Sequence, residues 1–186
     1  MKIKEVKEEI KDIENPNETK NKKPWYKRWY IIMAIITVIV VSIFNYNYTF
    51  VMVNGYSMEP NYHDTNLLLG EKHFDYLNRF DVVIINSVEG NTVLIKRVIG
   101  LPGETIQYKD NQLFVNGKYV EDIYGTGWTE NFTVTLDANS YFCMGDNREH
   151  SYDSRYYGDF DEKEIMAKIR GRRYVSIFNT KSPLTE

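Results

Sequence analysis

The chain has 186 residues, 42% of them hydrophobic and 26% charged, so it fits one modest globular domain with an appendage rather than two large lobes. Its formal net charge of -3 argues against a nucleic-acid-binding protein, which would carry a basic face or stripe. A single cysteine, Cys143, and three dispersed histidines exclude an internal disulfide framework and a cysteine-based metal cluster. We therefore expect no metal site.

The first segment, residues 1–24, mixes charges of both signs with apolar residues at helical spacing, up to a break at Asn15-Pro16-Asn17. This pattern fits a short amphipathic helix that lies on a membrane surface or contacts a partner. It fits equally well a frayed polar tail with accidental periodicity, and the pattern does not distinguish the two.

The next segment, residues 31–44, is an almost uninterrupted apolar run without charge. A membrane-spanning helix needs about 20 mainly apolar residues, so the aromatic flanks must belong to the crossing. Including them extends the span to residues 29–48. Because no Ala-x-Ala-like site follows the run, an uncleaved anchor is favoured over a cleavable signal peptide.

Basic residues precede this span, whereas none follows it until Lys72. The positive-inside rule therefore predicts a cytoplasmic tail over residues 1–28, an anchor over 29–48 and an extracytoplasmic catalytic domain over 49–186. The basic residues that directly precede the span on the predicted inner side are Lys20, Lys22, Lys23, Lys27 and Arg28.

Beyond Val51 the chain is rich in β-branched and aromatic residues separated by turn signals. Asn116-Gly117 is a typical two-residue hairpin turn between strands at 112–115 and 118–120. Further strands are predicted at residues 82–85, 92–99, 132–136, 141–144 and 174–178. The predicted fold class is mainly β, with a single N-terminal transmembrane helix followed by an antiparallel β-sheet catalytic domain.

Two residues could supply hydrolytic chemistry without a histidine. Ser57, in the segment 55–60, needs a neighbouring base, because a serine hydroxyl is a weak nucleophile until its proton is removed. Lys96 lies in the strand predicted at 92–99, where alternation places it on an apolar face. Such a lysine either extends its ammonium group to water or is desolvated, neutral and usable as a base, and the strand alone favours the first interpretation.

Four sequence blocks that occur in order favour the second interpretation, in which Lys96 is a neutral base. They are Ser57-Met58-x-Pro60, Arg79-Phe80-Asp81-Val82-Val83, Lys96-Arg97-Val98-Ile99-Gly100-Leu101-Pro102-Gly103 and Gly145-Asp146-Asn147-Arg148-x-x-Ser151-x-Asp153-Ser154-Arg155-x-x-Gly158. With these blocks the chain resembles the type I signal peptidases, the bacterial leader peptidases of peptidase family S26, in their small, single-anchor Gram-positive form. The resemblance covers residues 53–158, and the predicted anchor has the family's position and orientation. It implies neither a metal nor an organic cofactor.

The resemblance implies that Ser57 is the nucleophile and that Lys96 is the general base and then the general acid. The family's oxyanion donor is the backbone N–H of Ser57. Some relatives add a side-chain hydroxyl two residues earlier, where this chain has Gly55, so that second donor is missing here. Ser151 matches the serine that orients the lysine ammonium in the family, although without the motif a turn-forming serine is the simpler interpretation.

The resemblance also implies two structural ion pairs near the site. Arg97 with Asp146 and Arg155 with Asp153 match these pairs, and we interpret all four residues as scaffolding rather than proton carriers.

Around the nucleophile, Met58 and Pro60 are expected to shape the serine's loop and to border the substrate cleft. The chain departs from the family pattern at Asn61, where threonine is common, and at His150, where asparagine is common. Neither residue is expected to contact the serine or the lysine.

The implied function is that of a membrane-anchored serine endopeptidase that cleaves N-terminal signal peptides from exported preproteins at the outer face of the cell membrane. Its partners would be preprotein signal peptides and cytoplasmic membrane lipids, with the secretion translocon as a further candidate and nucleic acid excluded. One alternative is a self-cleaving Ser/Lys protease of SOS-repressor type, which the spanning segment opposes. The other is a catalytically silent, membrane-anchored binding homologue, which the presence of both Ser57 and Lys96 opposes.

Overall fold

A computed structural model of the chain describes residues 25–87 and 92–170. The N-terminal helix proposed within residues 1–24 and the strand predicted at 174–178 lie outside these ranges. The described elements, in chain order, are α1 (Trp25–Asn47), β1 (Tyr48–Met52), β2 (Leu67–Glu71), β3 (Val82–Ser87), β4 (Thr92–Gly100), β5 (Thr105–Lys109), β6 (Gln112–Val115), β7 (Lys118–Val120), β8 (Phe132–Thr135), β9 (Ser140–Met144), α2 (Ser154–Tyr157), β10 (Phe160–Asp161) and β11 (Ile165–Ile169). Short 3-10 helices cover Arg148–His150 and Glu162–Glu164.

Helix α1 contains a segment, Arg28–Asn47, that is long and apolar enough to cross a membrane, by length and composition. The predicted anchor at 29–48 overlaps this segment. The end of the helix contacts the loop after β2: Lys72 donates from its backbone N–H to the Asn47 carbonyl (2.8 Å) and from Nζ to the Asn45 carbonyl (2.9 Å). The first basic residue after the span in sequence therefore caps the C-terminal end of that helix, where a cation is favourable.

The strands form two sheets in the described chain, and every paired strand in them is antiparallel. The larger sheet has seven strands in the order β1-β2-β11-β3-β4-β9-β10, and the smaller has four in the order β7-β6-β5-β8. The predicted fold class, mainly β and antiparallel after one N-terminal apolar helix, is confirmed. The predicted hairpin at Asn116-Gly117 is confirmed as well, since both residues have positive φ and Val115 pairs with Lys118.

Strand β4 lies between β3 and β9 and is buried on both faces. Three hydrophobic clusters share it: Ile95 belongs to the first, Val98 to the second and Ile99 to the third. A polar side chain in the middle of this strand is therefore removed from water whichever face it takes. This placement decides the environment of Lys96 and Arg97.

Candidate active site

Ser57 lies in a turn of the loop that joins β1 to β2. The Glu59 N–H donates to the Tyr56 carbonyl (3.2 Å), and the Tyr62 N–H donates to the Met58 carbonyl (2.9 Å). The side chain of Met58 is only 1% exposed and packs in the first hydrophobic cluster. A buried side chain thus fixes the turn directly after the serine.

Lys96 lies in the middle of β4, paired with Val83 of β3, and it is 3% exposed. Its Nζ donates a hydrogen bond to Ser57 Oγ over 2.8 Å. The fold therefore joins two residues that are 39 positions apart in sequence. The distance is within the range at which a base can take the proton of a hydroxyl.

Burial lowers the pKa of Lys96 from 10.5 to about 8, because desolvation disfavours the charged amine. The carboxylates of Asp153 and Asp146 act in the opposite direction and attract the charged form. With this pKa, about a tenth of the amines are neutral at pH 7, against fewer than about one in a thousand for a lysine in water. The site thus holds a serine hydroxyl beside an amine that is partly neutral near physiological pH.

Ser57 and Lys96 both line a cavity of about 350 Å³. Its walls are mainly apolar, and the other lining residues are Val51, Met52, Val53, Asn54, Gly55, Tyr56, Met58, Val93, Leu94, Ile95, His150 and Tyr152. A larger cavity of about 540 Å³ includes neither the serine nor the lysine in its wall. Within the described ranges, no group of three or more histidine, cysteine or carboxylate side chains is placed to hold a metal ion.

Gly55 enters the cavity wall through its backbone alone. Its φ of +91° lies in the left-handed region that favours glycine, and its N–H donates to Asp64 Oδ1 over 2.8 Å. The hydroxyl that some relatives place at this position therefore has no counterpart here.

Ser151 lies beside the site, 6% exposed, and its Oγ has no hydrogen-bond partner among the described residues. A Cβ built on Gly145 would lie 2.2 Å from this oxygen, so Ser151 packs directly against Gly145. The hydrogen bond to Lys96 that the family resemblance implies is not among the described contacts. The orienting role of Ser151 stays a prediction.

Arg97 and Asp146 form a buried ion pair with two hydrogen bonds. Arg97 Nε donates to Asp146 Oδ1 over 2.7 Å, and Nη2 donates to Oδ2 over 2.6 Å. The guanidinium also donates to the Phe80 carbonyl (2.8 Å) and lies 3.9 Å from the centre of the Tyr124 ring. With both charges almost fully buried, this pair connects β4 to the segment that follows β9.

Arg155 and Asp153 form a second pair beside the site. Arg155 donates from Nε and Nη2 to the two carboxylate oxygens of Asp153, each over 2.9 Å. The same carboxylate accepts the Gly145 N–H over 2.9 Å and caps the start of α2. Asp153 therefore orders the backbone beside the serine turn and also supplies the charge that most favours protonated Lys96.

Met58 lines the cavity, whereas Pro60 is exposed and is not among the residues that form its wall. The peptide bond between Glu59 and Pro60 is cis. Of the two residues expected at the border of the cleft, only the methionine reaches it.

Two asparagines hold the serine turn, and sequence reasoning assigned neither of them this role. The Asn147 N–H donates to the Ser57 carbonyl (3.0 Å), and its Nδ2 donates to the Tyr56 carbonyl (3.3 Å). Asn61 Nδ2 donates to Asp146 Oδ2 over 2.9 Å. A bond to a backbone carbonyl leaves no pattern in the sequence. The available signals were that Asn147 lies in the fourth sequence block and that Asn61 departs from the family residue.

Comparisons with known proteins identify the family of the chain. The sequence model described as "Signal peptidase, peptidase S26" matches residues 26–174. Signal peptidase I V of Bacillus subtilis (strain 168) is 38% identical over 160 residues, which cover 76% of this chain and 95% of that protein. Signal peptidase I of Bacillus licheniformis is 37% identical over 163 residues, covering 78% and 87% respectively. A crystal structure of a signal peptidase I from Enterococcus faecalis V583 is 30% identical, covers 53% of this chain and 100% of that chain, and has a TM-score of 0.49. The chain belongs to the signal peptidase family, peptidase S26.

Proposed function

We propose that this protein is a membrane-anchored serine endopeptidase that removes signal peptides from exported preproteins with a Ser57/Lys96 dyad. The observation that carries the proposal is the 2.8 Å hydrogen bond between Lys96 Nζ and Ser57 Oγ. Its relatives named signal peptidase I supply the substrate class. The low pKa of Lys96, about 8, supports its use as a base.

In the proposed reaction, neutral Lys96 takes the hydroxyl proton as Ser57 Oγ attacks the scissile carbonyl. The resulting ammonium then donates that proton to the leaving amine, which releases the mature protein and leaves an acyl-serine. Lys96, neutral again, deprotonates a water molecule that attacks the ester, and it returns this proton to Ser57 Oγ as the signal peptide leaves with its new carboxyl group. One lysine therefore acts as base and acid in both halves of the reaction.

The oxyanion that forms during attack needs hydrogen-bond donors beside Ser57. The backbone N–H of Ser57 takes part in none of the described hydrogen bonds, so it is available for this role. Gly55 supplies no hydroxyl, and its own N–H is engaged by Asp64. Stabilisation of the oxyanion in this chain therefore rests on the backbone at the serine and on water.

The substrate would bind in an extended conformation along the apolar cavity. Among the described strands, β1 is an edge strand of the larger sheet, and its residues Val51 and Met52 line the cavity. A strand-like substrate could therefore pair with this edge beside the serine. Small residues one and three positions before the cut are the expected preference, by similarity to the family.

The proposed topology places the N-terminus in the cytoplasm and the catalytic domain outside, beside the bilayer. Nine lysine and arginine residues precede the span. On its other side the next lysine in sequence is Lys72, which donates to a carbonyl at the end of the helix. The excess of basic residues on the N-terminal side supports this orientation. Membrane lipids and the secretion translocon are the partners proposed with it.

The direct test is cleavage of a preprotein by the purified full-length protein in detergent, with the products identified by N-terminal sequencing. We expect cleavage at one site by the wild type and none by Ser57→Ala or Lys96→Met. Matched controls are Ser140→Ala and the exposed Lys109→Ala, which change the same residue types away from the cavity and should retain activity.

Undiminished cleavage by Ser57→Ala would refute the dyad. A wild type that binds the preprotein but leaves it intact would support the silent-binding alternative. Cleavage of the protein's own chain in place of the preprotein would support the self-cleaving alternative.

A further inference from the structure

The carboxylate of Asp146 is fully buried and accepts hydrogen bonds from two side chains. Arg97, which follows Lys96 directly in β4, donates to both carboxylate oxygens. Oδ2 also accepts Asn61 Nδ2 over 2.9 Å, and the same amide donates to the Tyr124 carbonyl over 3.2 Å. A carboxylate with no access to water needs these donors, since an unfilled acceptor site on a buried charge is costly.

Asn61 belongs to the same turn as Ser57, four residues later in the sequence. Arg97 belongs to the strand of the general base. The bonds from Asn61 to Asp146 and from Asp146 to Arg97 therefore form a continuous path between the segment that carries the serine and the segment that carries the lysine.

We propose that Asn61 is a positioning residue of the reaction: its amide, bound to Asp146, holds the serine turn at the distance at which Lys96 can take the Ser57 proton. This inference rests on the proposed function. Asn61 contacts neither the serine nor the lysine in the described hydrogen bonds, and it does not line the cavity. It acts through the geometry of the pair rather than by touching substrate.

Because Asn61 lies outside the cavity wall, its substitution is expected to change kcat but not KM. Removal of the amide leaves the cavity wall unchanged, so KM stays close to the wild-type value. The hydrogen bond between Lys96 and Ser57 lengthens, and small displacements of reacting groups cost orders of magnitude in rate. For Asn61→Ala we expect kcat to fall by about 10-fold to 100-fold with KM changed by less than about 3-fold.

A second variant, Asn61→Asp, tests the donor at nearly constant size. Its new carboxyl faces the carboxylate of Asp146 and the guanidinium of Arg97, the charged groups that the described contacts place around this position. When ionised it repels Asp146, and when protonated it can donate to Asp146 as the amide does. The rate of this variant relative to the wild type should rise as the pH falls from 8 to 6, whereas the same ratio for Asn61→Ala should stay flat.

The experiment measures kcat and KM for preprotein cleavage by full-length protein in detergent. Wild type and Ser57→Ala are run beside the Asn61 variants and beside Asn139→Ala, an exposed asparagine, as the matched control. Thermal unfolding of each variant verifies that it is folded at the assay temperature, and Asn61→Ser replaces Asn61→Ala if the latter is unfolded.

Wild-type kcat in both Asn61→Ala and Asn61→Asp would overturn the positioning role, as would a loss confined to KM. These outcomes are separate from failure of the proposed function, in which wild type and Ser57→Ala cleave equally or not at all.

Discussion

The backbone of Gly145 packs directly on the carbonyl oxygen of Ser57: a Cβ built on this glycine would lie 2.5 Å from that oxygen. The Asn147 N–H donates to the same carbonyl, and the Gly145 N–H donates to Asp153. The segment directly after β9 therefore supports the serine turn through backbone contacts, with the Ser151 side chain packed against the same glycine.

The first prediction is that Gly145→Ala impairs catalysis. Its methyl group would overlap both the Ser57 carbonyl and the Ser151 side chain, so the serine turn and Ser151 must shift. Displacements of that kind beside the reacting groups should reduce cleavage by about 100-fold. Initial rates of preprotein cleavage measure this effect. The control is Gly117→Ala in the β6–β7 hairpin, whose positive φ costs about 1 kcal/mol of stability but should leave kcat unchanged. Equal loss of activity in both variants would contradict the contact argument.

The second prediction concerns the pH dependence of the rate. A base acts when it is neutral, and the pKa of Lys96 is lowered to about 8, so kcat/KM should rise with pH and level off above about 8. A lysine with the pKa of 10.5 would still show a rising rate at pH 10. Cleavage rates measured from pH 6 to 10.5 distinguish these two pH profiles. The control variant Lys109→Ala, which changes an exposed lysine, is expected to follow the wild-type profile.

The third prediction is that Lys96→Met is inactive but more stable than the wild type at neutral pH. The folded pKa of Lys96 is depressed from 10.5 to about 8, so the cost of the buried charge is fully present below pH 8 and disappears as the pH rises to 10.5. This cost is about 3 kcal/mol of the free energy of unfolding. Urea unfolding should show a higher free energy of unfolding for the variant at pH 7, and this difference should disappear at pH 10.5. The other titratable groups are the same in both proteins, so their effects cancel in the difference. A variant less stable than wild type at pH 7 would count against a desolvated lysine.

The fourth prediction concerns the ion pair of Arg97 and Asp146. Asp146→Ala leaves a buried guanidinium without its carboxylate, which should lower the free energy of unfolding by about 3–5 kcal/mol. Glu59→Gln is the matched control, since Glu59 pairs with His63 at the surface and should cost less than about 1 kcal/mol. Urea unfolding of the full-length variants tests both values, and similar small losses in the two would show that the buried pair is not scaffolding.

Local patterns predicted much of the fold. The Asn116-Gly117 turn and the strands around it follow from residues adjacent in sequence, and the apolar run that became α1 needs only length and composition. Ser57 and Lys96 became candidates through four ordered blocks, which identified the family that the comparisons then confirmed. The contacts of Asn147 with Tyr56 and of Asn61 with Asp146 join positions 91 and 85 residues apart, and no local pattern contains them.

The sequence by itself determined the family, the antiparallel β class and the identity of the serine and lysine candidates, because these depend on short patterns and their order. Only the tertiary structure decided the state of Lys96. Strand alternation shows which face a side chain takes, but the sequence does not show whether that face is covered. In the fold, β4 lies between two strands with hydrophobic clusters on both faces, so Lys96 is 3% exposed and its Nζ bonds to Ser57 Oγ. Desolvation then lowers its pKa to about 8, which makes the lysine suitable as a base.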